Sequence, residues 1–202
     1  MVKVSMAFKK KSLHLFILLS AVLLYGMYVF YSDVVFYFHT APPKDLGDAM
    51  NPNVAVMKTV QDGDYITMKG IRAVQGGTLQ KGFLGEQYTL FYFTGSNRFI
   101  AMQKTPKGTT LGPAYVTVLG RAYSFKTNGY AQSMNSFFKS QLALEMSPDG
   151  FLIQAGQKPG ENKTALVMFG VMLLLFFINI GIMIKQTWFP HVEQDEDDLY
   201  DD

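Results

Sequence analysis

The residues from Thr164 to Ile184, TALVMFGVMLLLFFINIGIMI, limit what this chain can become more than any other stretch. They carry no charge and lie between Lys163 and Lys185. As a helix rising about 1.5 Å per residue the run reaches roughly 31 Å, close to the hydrocarbon thickness of a bilayer. A soluble core helix needs one apolar stripe, not an apolar circumference over that length. The run therefore predicts a membrane helix, interrupted only by Asn179 and the glycines Gly170 and Gly181.

A second such run comes early. Lys3, Lys9, Lys10 and Lys11 precede Ser12 to Ser32, SLHLFILLSAVLLYGMYVFYS, which is uncharged at neutral pH and ends at Asp33. A cleaved secretory signal starts the same way, but this run exceeds a signal core, and Tyr28, Phe30 and Tyr31 fill the zone where small residues would precede cleavage. It reads as an uncleaved first membrane helix with its lysines cytoplasmic and Tyr25, Tyr28 and Tyr31 approaching the far headgroup layer. His14, near the cytoplasmic end, reads as an interfacial histidine rather than a haem or metal ligand. The second helix then brings the chain back. Residues 33–163 are expected outside the cytoplasm, and both termini inside it.

The charge layout agrees. Residues 34–163 hold thirteen basic and eight acidic side chains, whereas seven acids and no base follow Lys185. A loop this long escapes the positive-inside bias, so its basic excess does not oppose the topology. With no cysteine in 202 residues, disulfides, thiolate nucleophiles, Cys-ligated zinc and iron–sulfur clusters are excluded. The expected organisation is a basic N-terminus (1–11), helix 1 (12–32), a connector (33–53), a β domain (54–156), a linker (157–163), helix 2 (164–184) and an acidic tail (185–202).

Within the connector, Val34 to Ala41 reads as a strand or the last helical turn, and Pro42 to Pro52 as loop. Beyond it, strands are predicted over Tyr65–Val74, Gln87–Thr94, Arg98–Gln103, Ala114–Phe125 and Phe151–Ala155. Gly120 in mid-strand predicts a bulge or sharp bend. The glycines from Gly63 to Gly85 read as turns, since no Gly-Lys-Ser/Thr follows to make a phosphate loop. Met134, Phe138 and Leu142 recur at four-residue steps, which predicts a short helix over Ser133–Met146 capped by Ser133 and stopped by Ser147-Pro148-Asp149-Gly150. The expected fold is two transmembrane helices flanking a small, mainly β domain: an OB-like five-stranded barrel with one short helix, or alternatively an open antiparallel sheet covered by that helix.

The succession of a membrane helix, VVFYFHTAPPKDLGDA, and the glycine-punctuated strand DGDYITMKGIRAVQGG resembles the haem chaperone of cytochrome c maturation. Phe36, Tyr37, Phe38, Thr40 and Pro42 echo that family's aromatic segment, and Leu119-Gly120-Arg121 resembles part of its barrel. The likeness covers about residues 30–125 and implies an OB barrel on an N-terminal anchor. The family's late haem-attaching histidine has no counterpart here, because no histidine lies between His39 and His191. A second membrane helix is added, and residues 133–146 replace a flexible tail. The resemblance therefore implies a fold rather than covalent haem carriage.

Groups for catalysis are sparse. Nucleophilic chemistry needs a nucleophile beside a base, and His39 is the one histidine in the central domain region, at the membrane surface. Asp62 and Asp64 flank a glycine, where turns recruit aspartate for local hydrogen bonds. Tyr88, Phe91, Tyr92 and Phe93 beside a basic excess would suit single-strand stacking, but their adjacency in strands reads as core, and no nucleic-acid partner is expected. The candidate site residues are His39, for non-covalent haem or another small ligand, and Leu199 and Tyr200, as a docking peptide in the acidic tail. The expected function is non-enzymatic: a two-pass inner-membrane accessory or assembly protein whose periplasmic domain binds subunits of a membrane complex and whose helices contact lipid. Cytochrome or respiratory-complex biogenesis is implied by the resemblance alone. The alternatives are a haem or small-ligand carrier and a membrane-bound envelope enzyme.

Overall fold

The structure, a computed structural model, describes residues 2–73, 76–81, 86–109 and 111–188. Val35–Asn162 forms one compact unit, and the helical segments on either side of it form the other.

The helical unit contains α1 (Val2–Tyr37) up to Val34, its last turn belonging to the other unit, and α4 (Lys163–Trp188). Leu13–Tyr37 and Lys163–Lys185 within them are long and apolar enough to cross a membrane. Val34 to Tyr37 continues α1, so the connector begins as helix rather than strand. The two helices run antiparallel, since Asn179 meets Phe16 and Ser20 while Met172 lies beside Gly26. Asn179 is the polar exception noted in the sequence, and its amide donates to the Phe16 carbonyl at 2.9 Å and to Ser20 Oγ at 2.8 Å. In hydrocarbon such a group must find a partner inside the protein, and here it finds one on the facing helix. Gly26 permits the close approach, because a Cβ there would lie 2.7 Å from Met172 Sδ.

The other unit is built on a mixed sheet. Its strands are β1 (Lys44–Asp48), β2 (Asn51–Pro52), β3 (Tyr65–Arg72), β4 (Thr78–Lys81), β5 (Glu86–Tyr92), β6 (Phe99–Lys104), β7 (Ala114–Ser124) and β8 (Phe151–Ala155). Between them lie α2 (Val54–Met57) and α3 (Gly129–Leu142). The order is β2-β1-β3-β7-β8-β6-β5-β4. β1 runs parallel to β3 and β6 parallel to β8, and the remaining neighbours are antiparallel.

The core that each residue faces alternates along the central strands with the pleat. Phe99, Ala101, Phe151, Ile153, Phe91 and Ile66 face one core, which β1 and α2 complete with Leu46, Ala49 and Met57. Ile100, Met102, Leu152 and Leu90 face the other, beneath Ala131 and Phe138 of α3. β6 and β8 are thus buried on both sides, which is why their sequences read as nearly continuous apolar runs.

Several expectations are corrected. The sheet has eight strands and is not a closed five-stranded barrel, and its parallel pairs exclude a purely antiparallel sheet. It does curl: the end of β3 reaches β5 through an Arg72–Phe93 bridge, with Ala73 N–H donating to Tyr92 and Thr94 N–H to Ile71. That link is one bridge rather than a ladder. The Pro42–Pro52 loop contains β1 and β2, and its fully buried apolar side chains are Leu46 and Ala49. Residues within the glycine-rich run form β4. Gly120 produces no bulge, as the β3–β7 register passes through it unbroken. It is glycine because β8 lies so near that a Cβ would stand 2.1 Å from the Gln154 carbonyl oxygen. The helix starts one turn earlier than predicted. Asn128, not Ser133, caps it by accepting from Tyr130 and Ala131 N–H, and Ala143 in a left-handed conformation ends it. The Met134–Phe138–Leu142 face is the one that packs.

Two outcomes follow from these contacts. Gly120→Ala is expected to force β7 and β8 apart and cost about 3 kcal/mol of stability. Gly129→Ala, where nothing approaches within 4 Å, is expected to be neutral or stabilising; urea titration of the detergent-solubilised chain compares them. In the cysteine-free chain, Gly26→Cys with Met172→Cys should form a disulfide across the helix pair upon oxidation. Adding Asn179→Ala should slow that bond severalfold, consistent with an interhelical contact of about 0.6 to 1.7 kcal/mol; non-reducing gel mobility reads it.

Candidate functional site

A concavity of the β unit arises from a mismatch in strand length. β8 pairs with β7 from Phe151↔Ser124 to Ala155↔Gly120, and with β6 from Phe151↔Phe99 to Ala155↔Gln103. Gly156, at φ 80°, then turns the chain aside, and its N–H donates to Leu119 C=O at 2.9 Å. β7, however, extends back to Ala114, paired on its other side with β3. Ala122 exchanges backbone hydrogen bonds with Gly63 and Asp64 at the β3 side. By antiparallel alternation, Gly120, Val118 and Val116 turn their peptide groups the same way, while Leu119, Thr117 and Tyr115 turn theirs toward the side that β8 has left. Among the described residues no strand lies beside that stretch of edge.

The resulting cleft measures about 530 Å³. Its walls carry the cations Arg72, Lys104 and Lys158 and the amides of Gln103, Gln154 and Gln157, and among the described residues no carboxylate lines it. Acids stand behind it. Lys104 Nζ lies 2.6 Å from Glu86 Oε1, and Tyr88 Oη donates to Glu86 Oε2 at 3.0 Å. Lys104 and then Tyr88 hold the Glu86 carboxyl below its ordinary range. Burial chiefly, with the Glu86 charge behind it, pushes the Tyr88 phenol up. Lys158 is 4.0 Å from Glu161 on the exposed linker. Arg72 Nε donates to Gly112 C=O at 2.8 Å, and its guanidinium lies 5.6 Å from the Phe91 ring centre. Exposed ion pairs of this kind are weak, so both lysines can exchange partners.

The residues singled out in the sequence lie elsewhere. His39 is half-buried and stacked on Phe36, with ring centres 6.4 Å apart and planes 14° from parallel. Its N–H donates to Phe36 C=O. No group of three His, Cys, Asp or Glu able to hold a metal occurs among the described residues. Leu199 and Tyr200 lie outside the described residues. Asp62 accepts from Ser124 N–H and Thr127 Oγ1, fastening the turn before α3. Asp64 pairs with Lys44 at 2.6 Å and accepts from Gln61 N–H. Phe91 and Phe93 are core, and Tyr88 and Tyr92 pack toward α3.

Arg121 is fully buried, 1% exposed, with its guanidinium 4.6 Å from the Phe36 ring centre and 5.3 Å from that of Tyr123. Cation–π contacts of this desolvated kind are worth about 2 kcal/mol, so Phe36 and Tyr123 offset part of the cost of burying the charge.

Sequence reasoning missed the cleft. The available signal was that the predicted strand at 114–125 is over twice as long as the one at 151–155, so these strands, once paired, leave an edge open. Comparison with protein-family models, with curated proteins and with solved structures finds no match. The class therefore rests on architecture: a curled mixed sheet with an open-edged cationic cleft, carried between two helices able to cross a bilayer.

A lowered carboxyl pKa means that the Glu86–Lys104 contact stabilises the fold above the unfolded-state value and is lost as pH falls through the lower folded one. Carboxyl-carbon NMR should place the Glu86 midpoint below 4.5, its ordinary value, and Lys104→Met should bring it back up.

Proposed function

We propose that this chain is a two-pass inner-membrane accessory or assembly protein whose periplasmic β domain docks a subunit of a membrane complex. The observation that carries the reading is the cleft, where the free edge of β7 and three cations lie together on a domain held at both ends by apolar helices. An antiparallel helix pair crossing one bilayer returns the chain to its starting side, which supports common placement of the termini, and the N-terminal lysines favour the cytoplasm for them. The sheet also supports an OB-type relationship in an unclosed form. From β4 the neighbours run β5, β6, β8, β7 and β3, and the Arg72–Phe93 bridge links β3 back to the end of β5, an order that supports comparison with an OB fold. A role in cytochrome or respiratory-complex biogenesis rests on the family resemblance alone.

A photo-crosslinker at exposed Thr117 in native membranes is expected to capture one envelope protein that also copurifies stoichiometrically in mild detergent. The same group at Ser133, on the outer side of α3, should not. Absence of any Thr117 adduct, with the protein purifying alone, would remove the docking role. The His39–Phe36 stack favours a second reading, a haem or small-ligand carrier. A haem absorption band present in wild type and lost in His39→Ala would select it.

A further inference from the structure

The docking reading leaves open what chemistry the cleft accepts, and the inference below rests on that reading. We infer that the occupant is an extended acidic segment of the partner protein, which adds as a strand to the free edge of β7 between Tyr115 and Leu119.

The shape argues for a strand. β6 and β7 are the two neighbours of β8, so the space beyond Ala155 has the width of one missing strand between them. Neighbouring strands lie about 4.8 Å apart, which makes the gap roughly 9.6 Å. β8 leaves this line at Gly156, whose φ of 80° turns the chain aside. A segment entering from solvent would continue the course of β8, mainly against β7, since β6 reaches just one residue farther, to Lys104.

The hydrogen-bonding pattern argues for a peptide. Along the free edge, Thr117 and Tyr115 present N–H and C=O groups in alternation, as an antiparallel or parallel neighbour requires. A phosphate or lipid headgroup would satisfy the donors and leave the carbonyls unmet. Domains that keep such an edge open on purpose use it for strand addition, while others blunt it.

The charge argues for acid. Arg72, Lys104 and Lys158 line the space and, among the described residues, no carboxylate does, while Glu86 and Glu161 hold the lysines only in exposed pairs. Carboxylates on the incoming segment would replace those pairs. The acidic tail of this same chain is not the occupant, because in the proposed topology it emerges on the opposite side of the membrane from the cleft.

The test uses the full chain in nanodiscs and a fluorescein-labelled octapeptide alternating glutamate and valine, followed by anisotropy. Wild type should bind this probe and not the lysine–valine counterpart. Methylating alternate backbone nitrogens of the probe, which keeps its charge and removes its edge donors, should weaken binding about tenfold or more. Lys104→Glu with Lys158→Glu should weaken it similarly. Thr117→Pro removes an edge donor without touching the β3 ladder and should do the same. Should that variant misfold, the methylated probe still decides. Equal binding of the methylated probe, equal binding of the lysine–valine probe, displacement by excess inorganic phosphate or phosphatidylglycerol vesicles, or no binding of the acidic probe would each overturn the inference. If the probe fails while the Thr117 crosslink persists, docking stands and the acidic strand does not. Loss of both sinks both.

Discussion

Burial of β6 and β8 on both faces is the constraint from which the rest of the β unit follows. Two adjacent strands that bury Phe99, Ala101, Phe151 and Ile153 on one side and Ile100, Met102 and Leu152 on the other need apolar cover twice. One cover is α3, held in place at its start by Asn128 and fastened below by Asp62. The other is made by β1, α2 and the far strands of the curled sheet. A closed barrel would satisfy only an inner face. The second buried face is what turns this domain into a layered structure, and it explains why the helix lies between β7 and β8 in the chain: the link joining two adjacent strands is also the lid over them.

The same close packing creates the cleft. Gly120 lets β8 approach β7 to a distance that a side chain would forbid, so the pair is tight where it exists. It exists for five residues, from Phe151 to Ala155, while β7 runs for eleven. A long strand beside a short one must expose an edge unless a loop covers it. Here Gly156 turns the chain aside after Ala155, and Arg72, Lys104 and Lys158 are the charged residues among those that line the opening. Natural domains guard an open edge with charge to prevent indiscriminate pairing, and the same charge selects the sign of whatever does pair.

In the helical unit the polar and small residues act as a matched set. Asn179 is satisfied by a carbonyl and a hydroxyl on α1, and Gly26 accommodates Met172. Hydrophobicity offers no preference between lipid and a neighbouring helix, so these few contacts set which faces meet. Gly170 and Gly181, singled out with Asn179 in the sequence, have open space around them and no part in this pairing.

Uninterrupted apolar length was enough, by itself, to mark both long helices, and period-two and period-four patterns located most central strands and the packing face of α3. These are local properties: a run of side chains either has the length and spacing to bury itself or lacks it. Boundaries at caps were less legible: Ser133 offered itself as the cap of α3, whereas Asn128, five residues earlier, satisfies the first free N–H groups of the helix. β1 and β4 were hidden because each borrows its stability from a neighbouring strand rather than from its own composition. The burial of Arg121, the role of Gly120 and the cationic cleft all depend on residues between roughly thirty and ninety positions apart in the chain coming together. Only tertiary structure decides such meetings, since which edge stays open is a property of two strands compared and never of either one alone.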